Sequence, residues 1–155
     1  MREDEVIKEA ANFVAKFEGF RSEPYLDAGG VATIGYGTTK GVKMTTAPIT
    51  EEKAREYLMF DLNDANKTIN SLVKPLINKN QKIALLSFVY NVGAGNFKSS
   101  TLLRRINAQK WDDVPTQFKK WVYAGGKKLN GLINRREAEA ALFIKPVKEN
   151  EDGTA

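Results

Sequence analysis

The stretch Phe17-Glu18-Gly19-Phe20-Arg21-Ser22-Glu23-Pro24-Tyr25-Leu26-Asp27-Ala28-Gly29-Gly30-Val31-Ala32-Thr33-Ile34-Gly35-Tyr36-Gly37-Thr38-Thr39 decides how the chain is read. Upstream of it, Val6, Ile7, Ala10, Phe13, Val14 and Phe17 recur at helical spacing, so a helix runs into Glu18 and can terminate at Gly19. Inside it, Pro24 and the closely spaced glycines break any helix. Tyr25-Leu26 and Val31-Ala32-Thr33-Ile34 fit short strands around an Asp27-Ala28-Gly29-Gly30 turn. Val42-Lys43-Met44 adds a third expected strand, which makes a small glycine-rich β-lobe.

Beyond Pro48 the helical pattern resumes. Thr50 is placed to cap a helix with Glu51 and Glu52 in its first turn, and Ala54, Leu58, Leu62, Ala65 and Ile69 form its inner stripe. Gln81–Tyr90 is apolar nearly all round, as a central buried helix is, and Gly93-Ala94-Gly95 ends it. Short helices are expected over 100–107 and 111–122, with Gly125-Gly126 separating them from a last helix near 130–143 and a frayed tail from Lys145 to Ala155. Segregated helices and strands predict an α+β fold. The expected division is a β-lobe at about 20–48, a linking helix at about 50–70, and a helical lobe at about 75–145 that includes the N-terminal helix, all in one domain of 155 residues. A cleft between lobes is the default place for a ligand.

Composition narrows the chemistry. The chain has neither cysteine nor histidine, which removes disulfides, thiolate nucleophiles, imidazole bases and histidine metal sites. Acid–base work then falls to carboxylates, lysine or tyrosine. No Asp/Glu/His cluster has metal-ligand spacing, so neither metal nor organic cofactor is expected. The net charge of +5 favours a polyanionic partner, whether nucleic acid, membrane or cell wall, and equally serves solubility. No recognisable nucleic-acid motif and no basic stripe interleaved with aromatics appears. No apolar run approaches the roughly 18–20 residues that span a bilayer, and the acidic Met1–Glu5 start is unlike a secretory signal, so the expected place of synthesis is the cytoplasm.

Glu18 and Asp27 lie nine positions apart on different elements, with Thr33 six further on. A carboxyl at a helix C-terminus meets carbonyl dipoles that favour its protonated form, whereas Asp27 sits in a polar turn. Glycosidic hydrolysis uses such a pair, one carboxyl as acid and one ionised. The spacing alone also fits surface acids, and Thr33 alone fits β-propensity.

Order along the chain is more specific. Glu18-x8-Asp27-x5-Thr33, followed by Ile34-Gly35-Tyr36-Gly37, resembles the catalytic signature of phage-type lysozymes, the endolysins with which bacteriophages break host cell walls. Ala84–Gly93, Ser100–Arg104, Trp121–Gly126 and Gly131–Glu139 are similar to later stretches of that family. The resemblance implies a two-lobed lysozyme-like fold and cleavage of the β-1,4 bond between N-acetylmuramic acid and N-acetylglucosamine in peptidoglycan. Glu18 would be the general acid, Asp27 the base or electrostatic partner, and Thr33 the residue positioning water. Tyr90 and Asn91, leaving the central helix, would approach the substrate groove, although core packing and helix termination explain them too. It further implies a monomer without membrane insertion or nucleic-acid binding, working from the host cytoplasm on the wall after a holin opens the inner membrane. The alternatives are a lytic transglycosylase or a non-catalytic basic module for wall polymer or nucleic acid. One departure is visible: many relatives carry histidine where this chain has Thr38, which puts an inter-lobe His–acid pair in doubt. Arg135 and Arg136 are expected to brace the last helices through ion pairs, and Trp111 and Trp121 to pack rather than stack on sugars.

Overall fold

A computed structural model describes residues 2–148; Met1 and most of the expected frayed tail, residues 149–155, lie outside the described residues. The first helix, α1 (Glu3–Glu18), buries Val6, Ile7, Ala10, Ala11 and Val14, places Glu3, Asp4 and Glu5 in its first turn, and stops where Gly19 adopts φ +67°. Glu18 is therefore the last helical residue, as the spacing predicts.

Strands β1 (Arg21–Leu26) and β2 (Ala32–Gly35) pair antiparallel, with Tyr25 opposite Thr33 and Leu26 opposite Ala32. The expected third strand at Val42–Met44 does not form. Its backbone is spent locally: Val42 N donates to Thr39 O at 3.1 Å, Lys43 N to Thr46 Oγ1 at 2.9 Å, and Thr46 N to Lys43 O at 2.9 Å. The sheet is completed instead by a single bridge between Ile34 and Thr38.

Helix α2 (Glu51–Leu72) begins as expected, Lys53 N donating to the Thr50 hydroxyl at 3.1 Å, and buries Ala54, Leu58, Leu62, Ala65 and Ile69. It packs on β2, on α1 and on the next helix. That next helix, α3 (Lys79–Val92), opens with a reciprocal cap between Asn78 and Gln81, each side chain accepting the other's backbone N–H at 2.8 Å. Its residues from Ile83 to Val89 are all buried, and Phe88 packs edge-on against Phe97, Phe118 and Trp121. Truncating a ring so enclosed costs about 3–5 kcal/mol.

Short helices α4 (Ala94–Lys98), α5 (Thr101–Asn107) and α6 (Val114–Phe118) follow, with a 3-10 turn at Trp111–Asp113 between the last two. The helix expected over 111–122 thus stops at Phe118, where Lys120 N and Trp121 N turn back to Gln117 O and Phe118 O, and Trp121 packs, partly buried, against the core. Gly125 and Gly126, at φ +58° and +79°, do more than separate helices: they make the tight turn of a hairpin between β3 (Tyr123–Ala124) and β4 (Lys127–Lys128). The last helix, α7 (Asn130–Ile144), packs along α3.

Candidate active site

Each site residue is delivered by a different local rule. Glu18 is carried out of the core by α1 and released there by the glycine terminus. Asp27 is fixed by the turn it makes: Gly29 N and Val31 N both donate to its Oδ1, at 2.9 and 2.8 Å. Both bonds converge on one oxygen, and Oδ2 receives none from the described residues. Thr33, opposite Tyr25 in the hairpin register, is almost fully buried and donates its hydroxyl proton to Val31 O at 2.8 Å. Its lone pairs remain free to accept.

These three side chains line one open cavity of about 370 Å³ together with Tyr25, Gly37, Thr39, Lys40, Asp61, Tyr90 and Asn91. All five residues expected at the site are therefore brought to one cavity. A second cavity of about 400 Å³ lies against Lys119, Lys120, Tyr123, Lys128 and Glu137 but has one carboxyl only.

Several contributors were not visible in the sequence. Arg135 Nη1 donates to Glu18 Oε2 at 2.7 Å, across 117 positions of chain. That guanidinium is itself held from behind: Nη2 donates to Ser87 O at 3.1 Å, and Nε lies 3.3 Å from Ser87 Oγ and 3.4 Å from Glu139 Oε2. Ser87 Oγ in turn donates to Glu139 Oε2 at 2.6 Å, and Arg136 Nε stands 3.1 Å from Glu139 Oε1. The expected bracing ion pairs exist, centred on buried Glu139. Burial pushes the Glu139 carboxyl up against the opposing pull of Arg136 and Arg135, and burial pulls the Arg136 guanidinium down to about 10. Arg136 Nη2 also donates to Asn91 Oδ1, so the last turn of the central helix is tied to the same cluster.

Gly37 is the other addition. It sits at φ +96°, and a Cβ there would lie 3.1 Å from Tyr90 Oη and 3.4 Å from Glu18 Oε1. The Gly-x-Gly pattern lets the backbone approach the acid. Tyr90 Oη donates to Tyr36 O at 2.8 Å, and burial, then the charge of Glu18, push its phenol up, so it stays a neutral donor. Burial, with Asp64 adding, raises the Asp61 carboxyl, while Lys40 and Thr38 oppose the rise. Thr38, in place of a histidine, thus stands beside an acid of α2. Trp111 packs against Phe143 and Trp121 against Phe88, away from the cavity lining. Glu23, a further acid of the stretch between Glu18 and Asp27, is exposed and does not line the cavity.

The family model described as phage lysozyme matches residues 15–139, from the approach to Glu18 through Glu139. The chain is similar to an SAR-endolysin of bacteriophage PS119, 45% identical over 82% of this chain and 76% of that protein. Among solved structures it is similar to the muramidase domain of SpmX from Asticaccaulis excentricus, at TM-score 0.83 and 32% identity over 90% of this chain and 97% of the other. It is also similar to an endolysin from Escherichia coli O157:H7 phage FAHEc1, at TM-score 0.80 and 34% identity over 90% of this chain and 93% of the other. A lysozyme-like α+β fold, a cavity lined by carboxyls from different elements, and a match over most of the chain converge on one conclusion: the chain belongs to the phage lysozyme family of glycoside hydrolases.

Proposed function

We propose that this endolysin cleaves the β-1,4 bond between N-acetylmuramic acid and N-acetylglucosamine, with Glu18 as proton donor. The observation that carries the reading is the convergence of Glu18, Asp27 and Thr33 on one cavity, with Arg135 bound to one oxygen of Glu18 only. Arg135 fills Oε2, so the transferable proton sits on Oε1, the oxygen beside Gly37. From there it passes to the leaving glycosidic oxygen as the bond breaks. Asp27, with Oδ1 committed to its turn, uses Oδ2 to take a proton from the attacking water or to balance the charge of the oxocarbenium-like sugar. Thr33 spends its own proton on Val31 O and therefore acts as an acceptor, fixing the second hydrogen of that water. Proton donation of this kind contributes about 10²–10⁴ in rate. Tyr90 and Asn91 border the sugar, the first through its ring and the second at the rim.

The working unit is a monomer, one domain of two lobes joined by α2, which reaches the wall from the host cytoplasm once a holin has opened the inner membrane. Mass spectrometry of products from purified peptidoglycan tests the chemistry. Reducing N-acetylmuramic acid ends are expected. Ends in 1,6-anhydro form would mean a lytic transglycosylase, which needs no water, and would remove the role given to Thr33. Reducing N-acetylglucosamine ends would overturn the bond assigned.

A further inference from the structure

Helix α2 carries two aromatic rings into solvent immediately beside the cavity. Phe60 is 61% exposed and Tyr57 38% exposed, one helical turn apart, so they lie on one face. The same face carries Asp61, which lines the catalytic cavity. A second concavity of about 400 Å³ runs over these rings, bordered also by Thr38 and Lys40. Lys40 and Asp61 line both spaces, so the aromatic shelf adjoins the cleft. The Lys40 ammonium stands 5.7 Å from the centre of the Phe60 ring and borders the shelf; Lys53, 5.9 Å from the Tyr57 ring, is paired at 3.0 Å with Glu56, which also lines it.

We propose that Tyr57, Phe60 and Lys40 form an extended saccharide-binding shelf for sugar units of the same glycan strand beyond those flanking the scissile bond. This rests on the glycan-cleaving reading above. A pyranose has apolar C–H faces and hydroxyl edges. Exposed rings take the faces, and the adjoining ammonium takes the acetamido carbonyls or the carboxylates of the stem peptides. A strand lying in the cleft and continuing past Lys40 and Asp61 would reach the shelf, because both residues border the two spaces. The shelf therefore adds affinity only for strands long enough to reach it.

The test uses the Glu18→Gln chain, which holds substrate without consuming it, titrated calorimetrically with uncross-linked N-acetylglucosamine–N-acetylmuramic acid strands of graded length. Affinity of this parent should rise with strand length. Adding Phe60→Ala should weaken binding of long strands about tenfold and leave the shortest bound fragment unchanged. Leu76→Ala, another exposed apolar residue, should change neither. Three results would overturn the shelf while sparing the cleft: parent affinity independent of length, equal loss on short and long strands, or a dimer abolished by Phe60→Ala, which would make the face a contact between copies. If the parent binds no strand of any length, the glycan reading of the cleft fails and the shelf falls with it.

Discussion

Placing one methyl group on Gly37 perturbs the site without removing any functional atom. The new Cβ would stand 3.1 Å from Tyr90 Oη and 3.4 Å from Glu18 Oε1, on a backbone held at φ +96°. A side chain at such a φ costs about 1–3 kcal/mol. Tyr90 cannot retreat freely, because its hydroxyl is bonded to Tyr36 O at 2.8 Å; giving up that bond costs about 1 kcal/mol more. Gly37→Ala should therefore lose about 2–4 kcal/mol of stability, which for a chain of this length lowers Tm by roughly 4–16 °C. Activity should fall more than stability explains. The methyl presses on the oxygen assigned to carry the proton, and a misplacement approaching 1 Å costs about 100-fold. Lysis of outer-membrane-stripped bacteria, measured well below Tm, should drop at least tenfold. In a Tyr90→Phe background the stability cost of Gly37→Ala should shrink, since the nearest atom is gone, while the activity loss persists. A Gly37→Ala variant with wild-type Tm and wild-type lysis would refute the claim that this glycine exists to let the chain approach Glu18.

Other expectations follow from the buried cluster and from Asp61. Ser87→Ala removes hydrogen bonds to Glu139 and Arg135 and should cost about 1.5–3 kcal/mol by urea unfolding; a loss under about 0.5 kcal/mol would mean the network is not formed. Arg135→Lys keeps the charge but not the fork that joins Glu18 to Ser87, so turnover should fall about 100-fold with little change in substrate affinity; full activity would show that charge alone suffices. Asp61 has its folded carboxyl raised above its ordinary 3.8, so the stability it contributes is complete below that value and lost as pH rises through the folded one. Asp61→Asn should accordingly melt above wild type near pH 7, with the gap closing by about pH 3.5. With no histidine in the chain, no imidazole titration overlays this gap; a gap that persists in acid would contradict the sign.

The helical framework was legible because α1, α2, α3 and α7 each carry a long periodic or wholly apolar run with recognisable ends, such as Thr50 and Gly19. Of the short elements, the β1–β2 hairpin and α5 were legible and others were not. Val42–Met44 has strand-like residues but no partner row, and its polar backbone groups found nearer partners in turns. The β3–β4 hairpin has strands of two residues, too short for any alternation to register, and only the two glycines marked it. At the site, Glu18, Asp27 and Thr33 were reachable through the family resemblance, whose motif is compact because a hairpin and a helix end keep the three close in sequence. Arg135, Ser87 and Glu139 meet Glu18 only through the packing of α1, α3 and α7, a tertiary fact that periodicity does not encode. The adjacent Arg135 and Arg136 on the last helix were the one available signal, and they pointed to a brace rather than to the acid. The glycines around Tyr36 read as turn formers; their closeness to Glu18 appears only when the β-hairpin is set against α1.

The central claim is that Glu18 donates the proton. Its most direct test is the initial rate of peptidoglycan solubilisation by Glu18→Gln against wild type at matched folded concentration, with Tm recorded for both. Glutamine keeps the shape and can still accept from Arg135, but it has no acidic proton to give. The account predicts a loss of about 10²–10⁴ or more with the fold intact. Solubilisation within a fewfold of wild type by a properly folded Glu18→Gln chain would contradict it.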